Sequence, residues 1–259
     1  MNTLLLIDAY AMIYRAYYAF IRAPRMNSRG ENTSAIFGFV VTFEDLIKRL
    51  KPTHIAVAFD VHAPTFRHEM YPEYKAGRKG MPEELRQQLQ PLKDILTAMG
   101  FTLVELDGYE ADDLLGTLSL RAEPSGVRPL LLTGDRDALQ LVGHGVEMMF
   151  TRKGISETIL FTPAKVHEEY GFGPDQVTDW KGLAGDSSDN IPGIPGIGDK
   201  TAVKLLQKYG TLELAKIENM RTQHEDLLAG KHVFTEKPLA TTAAEADELV
   251  ALAEEKGKM

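Results

Sequence analysis

The chain has 259 residues, of which 44% are hydrophobic and 25% charged, which predicts an ordinary globular protein of one large or two small domains. It contains no cysteine and no apolar run approaching the roughly 18 residues that span a bilayer, which excludes disulfides, thiolate chemistry and a membrane anchor and fits a reducing cytoplasm. The net charge of −8 argues mildly against a nucleic-acid partner, unless the acidic residues are gathered in one cleft.

Four apolar stretches predict the strands of a sheet, and acidic residues follow each of them. The stretches are Leu4 to Ile7, His54 to Phe59, Thr102 to Leu106 and Arg128 to Thr133. Helical patterns alternate with them, including one from Thr33 to Leu50 that stops before Pro52. This alternation predicts an α/β fold with a largely parallel central sheet and flanking helices.

The acidic residues after these strands should meet at one edge of the sheet, because chemistry in such folds lies beyond the carboxyl ends of the strands. The alternative to a metal site is a structural role for each acid. A single Asp after a strand is usually a turn former, and Glu110 to Asp113 also fits a helix start whose acids complement the helix dipole. Repetition after four strands is harder to assign to capping alone. Because carboxylates this close repel, the pattern predicts two bound cations such as Mg²⁺ or Mn²⁺. The acids are Asp8, Asp60, Glu110, Asp112, Asp113, Asp135 and Asp137.

A basic and aromatic segment follows Asp60, at about residues 62–82, and includes Arg67 and Lys79. Its prolines, glycines and interleaved side chains suit a mobile lid, or arch, that holds phosphates and stacks bases on aromatic rings. The alternative is a solvated loop whose aromatic residues pack on the domain.

From Thr162 the pattern changes to short helical segments that lead into a glycine-rich hairpin. Two helices joined by a Gly-x-Gly turn predict a helix-hairpin-helix, in which Gly196 and Gly198 let backbone N–H groups approach a phosphate, with Lys200 just beyond. Dinucleotide-binding loops look similar but follow a strand. Asp186 and Asp189, just before the hairpin, either reach back to the acidic edge or form a local turn.

Residues 1 to about 213 resemble the 5′-nuclease domain of bacterial DNA polymerase I, in the flap endonuclease family. The resemblance rests on Leu6-Ile7-Asp8, Phe59-Asp60, Phe66-Arg67 through Arg78, Gly108 to Asp113, Asp135-x-Asp137, and Gly185 to Gly193 leading into the hairpin. It implies a PIN-like nuclease core at residues 1–161 with the arch at about 62–82, and a helical subdomain at 162–213.

The resemblance also implies roles for particular residues. Lys75 and Arg78 would contact the scissile phosphate, with Asp113 beside them in catalysis, and Tyr74 would stack on a base. Two Mg²⁺ ions, replaceable by Mn²⁺, would be held directly or through water by Asp8, Asp60, Glu110, Asp112, Asp113, Asp135, Asp137, Asp186 and Asp189. The DNA-binding set would be Arg67, Tyr74, Lys75, Arg78, Lys79, Gly196, Gly198 and Lys200.

The implied activity is 5′-3′ exonuclease and flap endonuclease cleavage of branched, nicked or 5′-flapped duplex DNA by two-metal catalysis. The resemblance further implies a bacterial cytoplasmic, nucleoid-associated protein, a polymerase domain in the parent protein, and neither a membrane partner nor a small-molecule cofactor. A structure-specific DNA-binding module that does not cut is the alternative function.

After about Leu212 this resemblance is expected to end, leaving residues 214–259 as an atypical tail. Residues 229–258 are similar to the Glu-Lys-Pro segment of glucose–fructose oxidoreductase-type enzymes, where Lys237 would lie near nicotinamide. No dinucleotide fold precedes this segment, so an oxidoreductase fragment is a remote alternative. The Thr242-x-x-Glu245 capping box and the apolar spacing after it predict an amphipathic helix at about 242–256.

Overall fold

The computed structural model describes residues 2–61, 63–152 and 157–212. The chain divides into two compact units, one made of Met1–Thr178 with Asp186–Pro192, the other of Asp179–Gly185 with the chain from Gly193 onward. The helix predicted at about 242–256 and Lys237 lie outside the described residues. None of the helices in the described ranges is long and apolar enough to cross a membrane.

The first unit contains a six-stranded sheet, and its largely parallel character confirms the predicted fold class. In chain order its strands are β1 (Asn2–Asp8), β2 (His54–Ala58), β3 (Thr102–Val104), β4 (Val127–Thr133), β5 (Glu147–Thr151) and β6 (Thr158–Phe161). Their spatial order is β3-β2-β1-β4-β5-β6, with only β5 and β6 antiparallel. Strands β5 and β6 were not among the four predicted from the apolar stretches. Leu5, Leu6 and Ile7 are fully buried, as expected for a central parallel strand covered on both faces.

Helices follow most of the strands. They are α1 (Ala9–Ala19), α2 (Ser34–Leu50), α3 (Phe66–Met70), α4 (Glu83–Arg86), α5 (Leu89–Ala98), α6 (Ala111–Ala122), α7 (Pro163–Tyr170), α8 (Val177–Ala184) and α9 (Asp199–Tyr209). Short 3₁₀ turns lie at Glu123–Ser125, Asp137–Leu141 and Pro174–Gln176. Two short strands, β7 (Gly185–Asp186) and β8 (Ile191–Pro192), flank an acidic turn.

The long helix α2 begins and ends at residues that the sequence explains. The side chain of Thr33 does not cap it; instead Oε1 of the buried Gln88 accepts hydrogen bonds from the backbone N–H groups of Ala35 (2.9 Å) and Ile36 (3.3 Å). At the other end Lys51 adopts a left-handed conformation (φ +48°), and Pro52 prevents the helix from continuing.

The main core lies between β1, β2 and the helices α1, α2 and α5. Ile13, Phe43, Leu46 and Leu92 are each at most 2% exposed there. Burying each such side chain stabilises the fold by about 1.5–3 kcal/mol. The core therefore holds the carboxyl ends of β1 and β2 in fixed positions, with the acidic residues directly beyond them.

In the second unit, the turn between α8 and α9 is closely packed. The N–H of Ile194 donates to the carbonyl of Leu183 (2.9 Å), and a Cβ at Gly193 would lie 2.3 Å from the carbonyl carbon of Ala184. Only glycine fits this approach. Gly198 then serves as the N-cap of α9.

Candidate metal centre

Seven of the nine predicted acids line one cavity of about 540 Å³ at the carboxyl edge of the sheet. They are Asp8, Asp60, Glu110, Asp112, Asp135, Asp137 and Asp189. Asp8 ends β1, while Asp60 follows β2 and accepts a hydrogen bond from the N–H of Ala111 (2.8 Å) at the start of α6. The parallel register brings these strand ends together, as the sequence analysis expected.

Asp186 does not line this cavity but lies beside it. One carboxylate oxygen each of Asp137, Asp186 and Asp189 lies within 4.8 Å of the other two. Asp186 Oδ1 also accepts hydrogen bonds from the N–H (2.8 Å) and hydroxyl (2.6 Å) of Ser188. Asp186 therefore forms a local turn and also lies close to the acids at the edge of the sheet, so the two interpretations from the sequence are compatible.

Asp113 does not line the cavity, unlike its neighbour Asp112. Arg67 binds it in a bidentate pair, with Nη1–Oδ2 and Nη2–Oδ1 distances of 2.7 Å, and Asp113 Oδ2 also accepts the N–H of Glu110 (3.0 Å). Burial alone would raise the pKa of Asp113, but the Arg67 and Glu110 hydrogen bonds outweigh it and lower that pKa. The structure thus speaks against the predicted role of Asp113 as a metal ligand and catalytic residue, because this carboxylate already serves as a helix cap and as the partner of Arg67.

Two of the cavity acids, Asp8 and Asp112, have pKa values above those of free carboxylates. Burial raises the pKa of Asp8 to about 6, with the charges of Asp60 and Asp135 adding to the effect. Burial also raises the pKa of Asp112 well above its ordinary value, and the charges of Asp8, Asp135 and Asp60 raise it further. Both shifts show that gathering these charges is costly unless cations offset them.

The donor atoms fit a divalent cation. Oδ1 of Asp112 is buried, and no hydrogen bond from the described part of the chain reaches it. A buried carboxylate oxygen without a partner is rare in proteins, and a cation bound there would satisfy it. Among the described residues that line the cavity there is no His or Cys, so the side chains that could bind a metal offer oxygen atoms, which favours hard cations such as Mg²⁺, Mn²⁺ or Ca²⁺ over softer ions.

The predicted base-stacking role of Tyr74 is contradicted by its burial. Its ring is only 7% exposed, and its hydroxyl donates to Glu110 Oε2 (2.9 Å) and Asp189 Oδ2 (3.1 Å). A base cannot stack on a ring that the protein already covers. Tyr74 instead joins the start of α6 to the acidic turn.

The basic side chains next to Tyr74 point to the same acids. Lys75 Nζ lies 2.7 Å from Glu110 Oε1, and the Arg78 guanidinium pairs with Asp189 Oδ1. Both basic residues line the cavity, as does Arg67. Lys79 is exposed and does not line it.

The arch segment is bound to the acidic edge and does not stand off it as a free lid. The N–H of Lys75 donates to the carbonyl of Asp189 (2.9 Å), and Asn190 Nδ2 donates to the carbonyl of Glu73 (2.8 Å). Near its start, the N–H of Phe66 donates to the carbonyl of Gly108 (3.2 Å). For Tyr74, the alternative in which aromatic residues pack on the domain is the correct one.

Other aromatic residues lie at this edge that were not predicted to belong to the site. Tyr10 and Tyr14 line the cavity, and Tyr14 stacks on the exposed Tyr18 with ring centroids 6.3 Å apart. Their i, i+4, i+8 spacing after Asp8 was the available signal, since such residues share one helix face. Phe66 and Tyr109 form a second, partly exposed pair with ring centroids 5.8 Å apart.

The hairpin residues Gly196, Gly198 and Lys200 lie in the second unit, at the start of α9 and in the turn before it. Gly196 has φ +80°, a conformation that favours glycine, and a Cβ on Gly196 or Gly198 would meet nothing within 4 Å. Lys200 is exposed in the first turn of α9. This turn therefore presents open backbone and a positive charge.

The fold and site define a class of enzymes, the nucleases built on a resolvase-like α/β domain, and the family comparisons agree. A family described as 5′-3′ exonuclease, N-terminal resolvase-like domain, matches residues 3–171, and one described as 5′-3′ exonuclease, C-terminal SAM fold, matches residues 172–255. The chain belongs to the 5′-3′ exonuclease family. Because the second match continues to residue 255, the expected end of the family pattern near Leu212 is wrong.

Curated relatives carry the name DNA polymerase I. That of Mycobacterium tuberculosis is 48% identical over 211 residues, covering 81% of this chain and 23% of the relative. The Bacillus caldotenax protein is 46% identical over 221 residues, covering 84% of this chain and 25% of the relative. The Streptococcus pneumoniae protein is 42% identical over 245 residues, covering 92% and 28%. The chain thus spans about a quarter of the length of these relatives.

Solved structures support the same fold. T5 5′-exonuclease with bound zinc has a TM-score of 0.69 at 20% identity, covering 98% of this chain and 86% of that chain. The catalytic core of Rad2 in complex with a DNA substrate has a TM-score of 0.57 at 16% identity, covering 100% of this chain and 74% of that chain. At these identities the likeness concerns the fold alone.

Proposed function

We propose that the chain is a Mg²⁺-dependent 5′-3′ exonuclease and flap endonuclease that hydrolyses DNA phosphodiester bonds. The observation that carries the proposal is the convergence of buried carboxylates on one cavity, with an unpartnered oxygen on Asp112 and three basic side chains on the same wall. Family membership and relatives named DNA polymerase I support DNA as the substrate.

The carboxylates would hold the ions, and they fall into two sets. Asp112 lies close enough to Asp8 and Asp135 for their charges to act on it, whereas Asp137, Asp186 and Asp189 form a compact group of oxygens. Divalent ions bound there would supply a hydroxide nucleophile near neutral pH and would stabilise the leaving oxygen. Mg²⁺ is proposed because it prefers carboxylates and retained waters.

The basic residues of the arch would bind the phosphate and stabilise the charge that develops on it. Lys75 and Arg78 already line the cavity and point to its acids, so a phosphate entering there would find two cations at hand. Donors fixed before the reaction are effective because they need no reorganisation during it. Arg67 is held by Asp113 and would contribute a third positive charge at the wall.

The DNA would be recognised by its structure and not by its sequence. The open backbone at Gly196 and Gly198, with Lys200 beside them, suits contacts to duplex phosphates, which fix position without reading bases. We further propose branched, nicked or 5′-flapped duplexes as substrates and a polymerase domain as partner in the parent protein. A cytoplasmic site of action near the nucleoid fits these substrates.

A labelled 5′-flap substrate tests the proposal. The wild type should release flap products in Mg²⁺ and none in EDTA, and Asp135→Asn should lower the rate at least about a hundredfold while duplex binding persists. Asp107→Asn is the matched control. Asp107 is an exposed acid near Glu110 in the sequence, and it does not line the cavity.

The outcomes separate the two functions. Flap binding without cleavage at any excess of enzyme would favour the module that does not cut. If Asp135→Asn kept both duplex binding and cleavage, the acidic edge would not be the catalytic centre.

A further inference from the structure

Thr133 is a buried hydroxyl residue at the carboxyl end of β4, directly behind the acidic edge. Its side chain is fully buried, and its strand lies next to β1, so that Leu132 pairs with Ile7. This position puts its Oγ1 next to Asp8, the last residue of β1.

The hydroxyl of Thr133 makes hydrogen bonds to two acidic residues of the cavity. Its Oγ1 donates to Asp8 Oδ2 (2.7 Å) and accepts the backbone N–H of Asp135 (3.0 Å). A hydroxyl has one hydrogen to donate and lone pairs to accept, so both of these contacts form at once. Thr133 therefore joins the acids that follow β1 and β4.

The contacts on either side extend this connection. Asp8 Oδ1 accepts the N–H of Ala11 (3.0 Å), so each oxygen of Asp8 has one hydrogen bond that fixes its direction. On the other side, Asp135 Oδ1 accepts the N–H of Asp137 (2.9 Å), whose carboxylate belongs to the group of three acids. A chain of hydrogen bonds thus runs from α1 through Thr133 to Asp137.

The residue type suits the task. A β-branched side chain has few χ1 rotamers, so its hydroxyl is held in place within a strand. Gly134, the next residue, leaves room for the Arg15 guanidinium, since a Cβ there would lie 2.7 Å from Nη2 of Arg15. The hydroxyl is the only polar atom of the Thr133 side chain.

We propose that Thr133 is a positioning residue that sets the Asp8 carboxylate and the Asp135 turn for binding the divalent cation. This inference rests on the proposed metal-dependent function. It assigns Thr133 no contact with the substrate or with the ion. Groups that orient metal ligands in this way typically change metal affinity by about 10–100-fold when they are removed.

The test measures Mn²⁺ affinity without DNA, from the electron paramagnetic resonance signal of free Mn²⁺. Thr133→Val, which removes the hydroxyl at nearly constant volume, should weaken binding about 10–100-fold. Thr133→Ser should restore affinity to within about threefold of the wild type, because it restores the hydroxyl. Thr42→Val is the matched control, since that buried hydroxyl donates only to the carbonyl of Gly38 (2.8 Å).

Each result is decisive. Equal Mn²⁺ affinity in the wild type and folded Thr133→Val would overturn the inference while leaving the proposed function intact. If the wild type itself bound no Mn²⁺, the proposed function would fail first. If circular dichroism showed that Thr133→Val does not fold, Thr133→Ala would replace it with the same expectation, because it removes the hydroxyl and adds no atoms.

Discussion

The metal-free protein should become more stable when the pH is lowered from about 7.5 to about 5, which is unusual for a protein rich in acids. The folded-state pKa of Asp8 is about 6, raised mainly by burial from an ordinary value of 3.8. Between these two pKa values the folded state therefore binds more protons than the unfolded chain. The free energy of unfolding falls as the pH rises from the lower pKa value through the higher one.

The size of the effect follows from the shift. A difference of about two pKa units corresponds to about 3 kcal/mol over the whole window. At about pH 5 the gain relative to about pH 7.5 should be about 1.4 kcal/mol from Asp8 alone, or about 3–5 °C in Tm for a domain of this size. Burial also raises the pKa values of Asp60 and Asp112, which adds in the same direction. Asp113 has a lowered pKa, so its stabilising contribution is lost only below the ordinary value of 3.8, outside this window.

The assay is urea unfolding across this pH range in EDTA, for the wild type and for Asp8→Asn. The difference in unfolding free energy between the two proteins isolates Asp8 from other titrating groups, and it should grow in favour of the wild type by about 1.4 kcal/mol toward about pH 5. Saturating Mg²⁺ should abolish the trend, because bound cations offset the charges. A difference that does not depend on pH would refute the reasoning.

Two further substitutions test the assigned contacts. Asp113→Asn should lower the free energy of urea unfolding by about 1.5–3 kcal/mol, because it breaks the bidentate pair with Arg67. The Mn²⁺ affinity should not change. A loss of Mn²⁺ affinity equal to that of Asp135→Asn would instead show that Asp113 is a metal ligand. Lys200→Ala should weaken duplex binding and reduce the slope of log affinity against log salt by about 1 without altering Mn²⁺ affinity, whereas an unchanged salt slope would remove Lys200 from the DNA contact.

The sheet and the place of the site followed from the sequence because both depend on local signals. Apolar runs such as Leu4 to Ile7 specify buried strands, and the acid after each run marks a strand end. Parallel pairing then brings the ends together whatever the details of the side chains. Strands β5 and β6 each offer only three consecutive apolar residues, and no acid directly follows either of them, so neither signal marked them in the sequence.

The roles of single side chains depended on distant partners. Asp112 and Asp113 are adjacent in sequence, yet one turns to the cavity and the other to Arg67, which lies 46 residues earlier. Tyr74 is likewise held by Glu110 and Asp189, far away in the chain. Such pairings are set by tertiary packing, so spacing along a helix could predict the cluster but not the direction of each carboxylate.

The central claim is that the acids at the strand ends form a divalent-metal centre. Anomalous scattering from a crystal of the protein grown in Mn²⁺ tests it most directly. We expect Mn²⁺ peaks bound by Asp112 and by the group of Asp137, Asp186 and Asp189. Mn²⁺ peaks confined to other surfaces, with this cavity filled only by water, would contradict it.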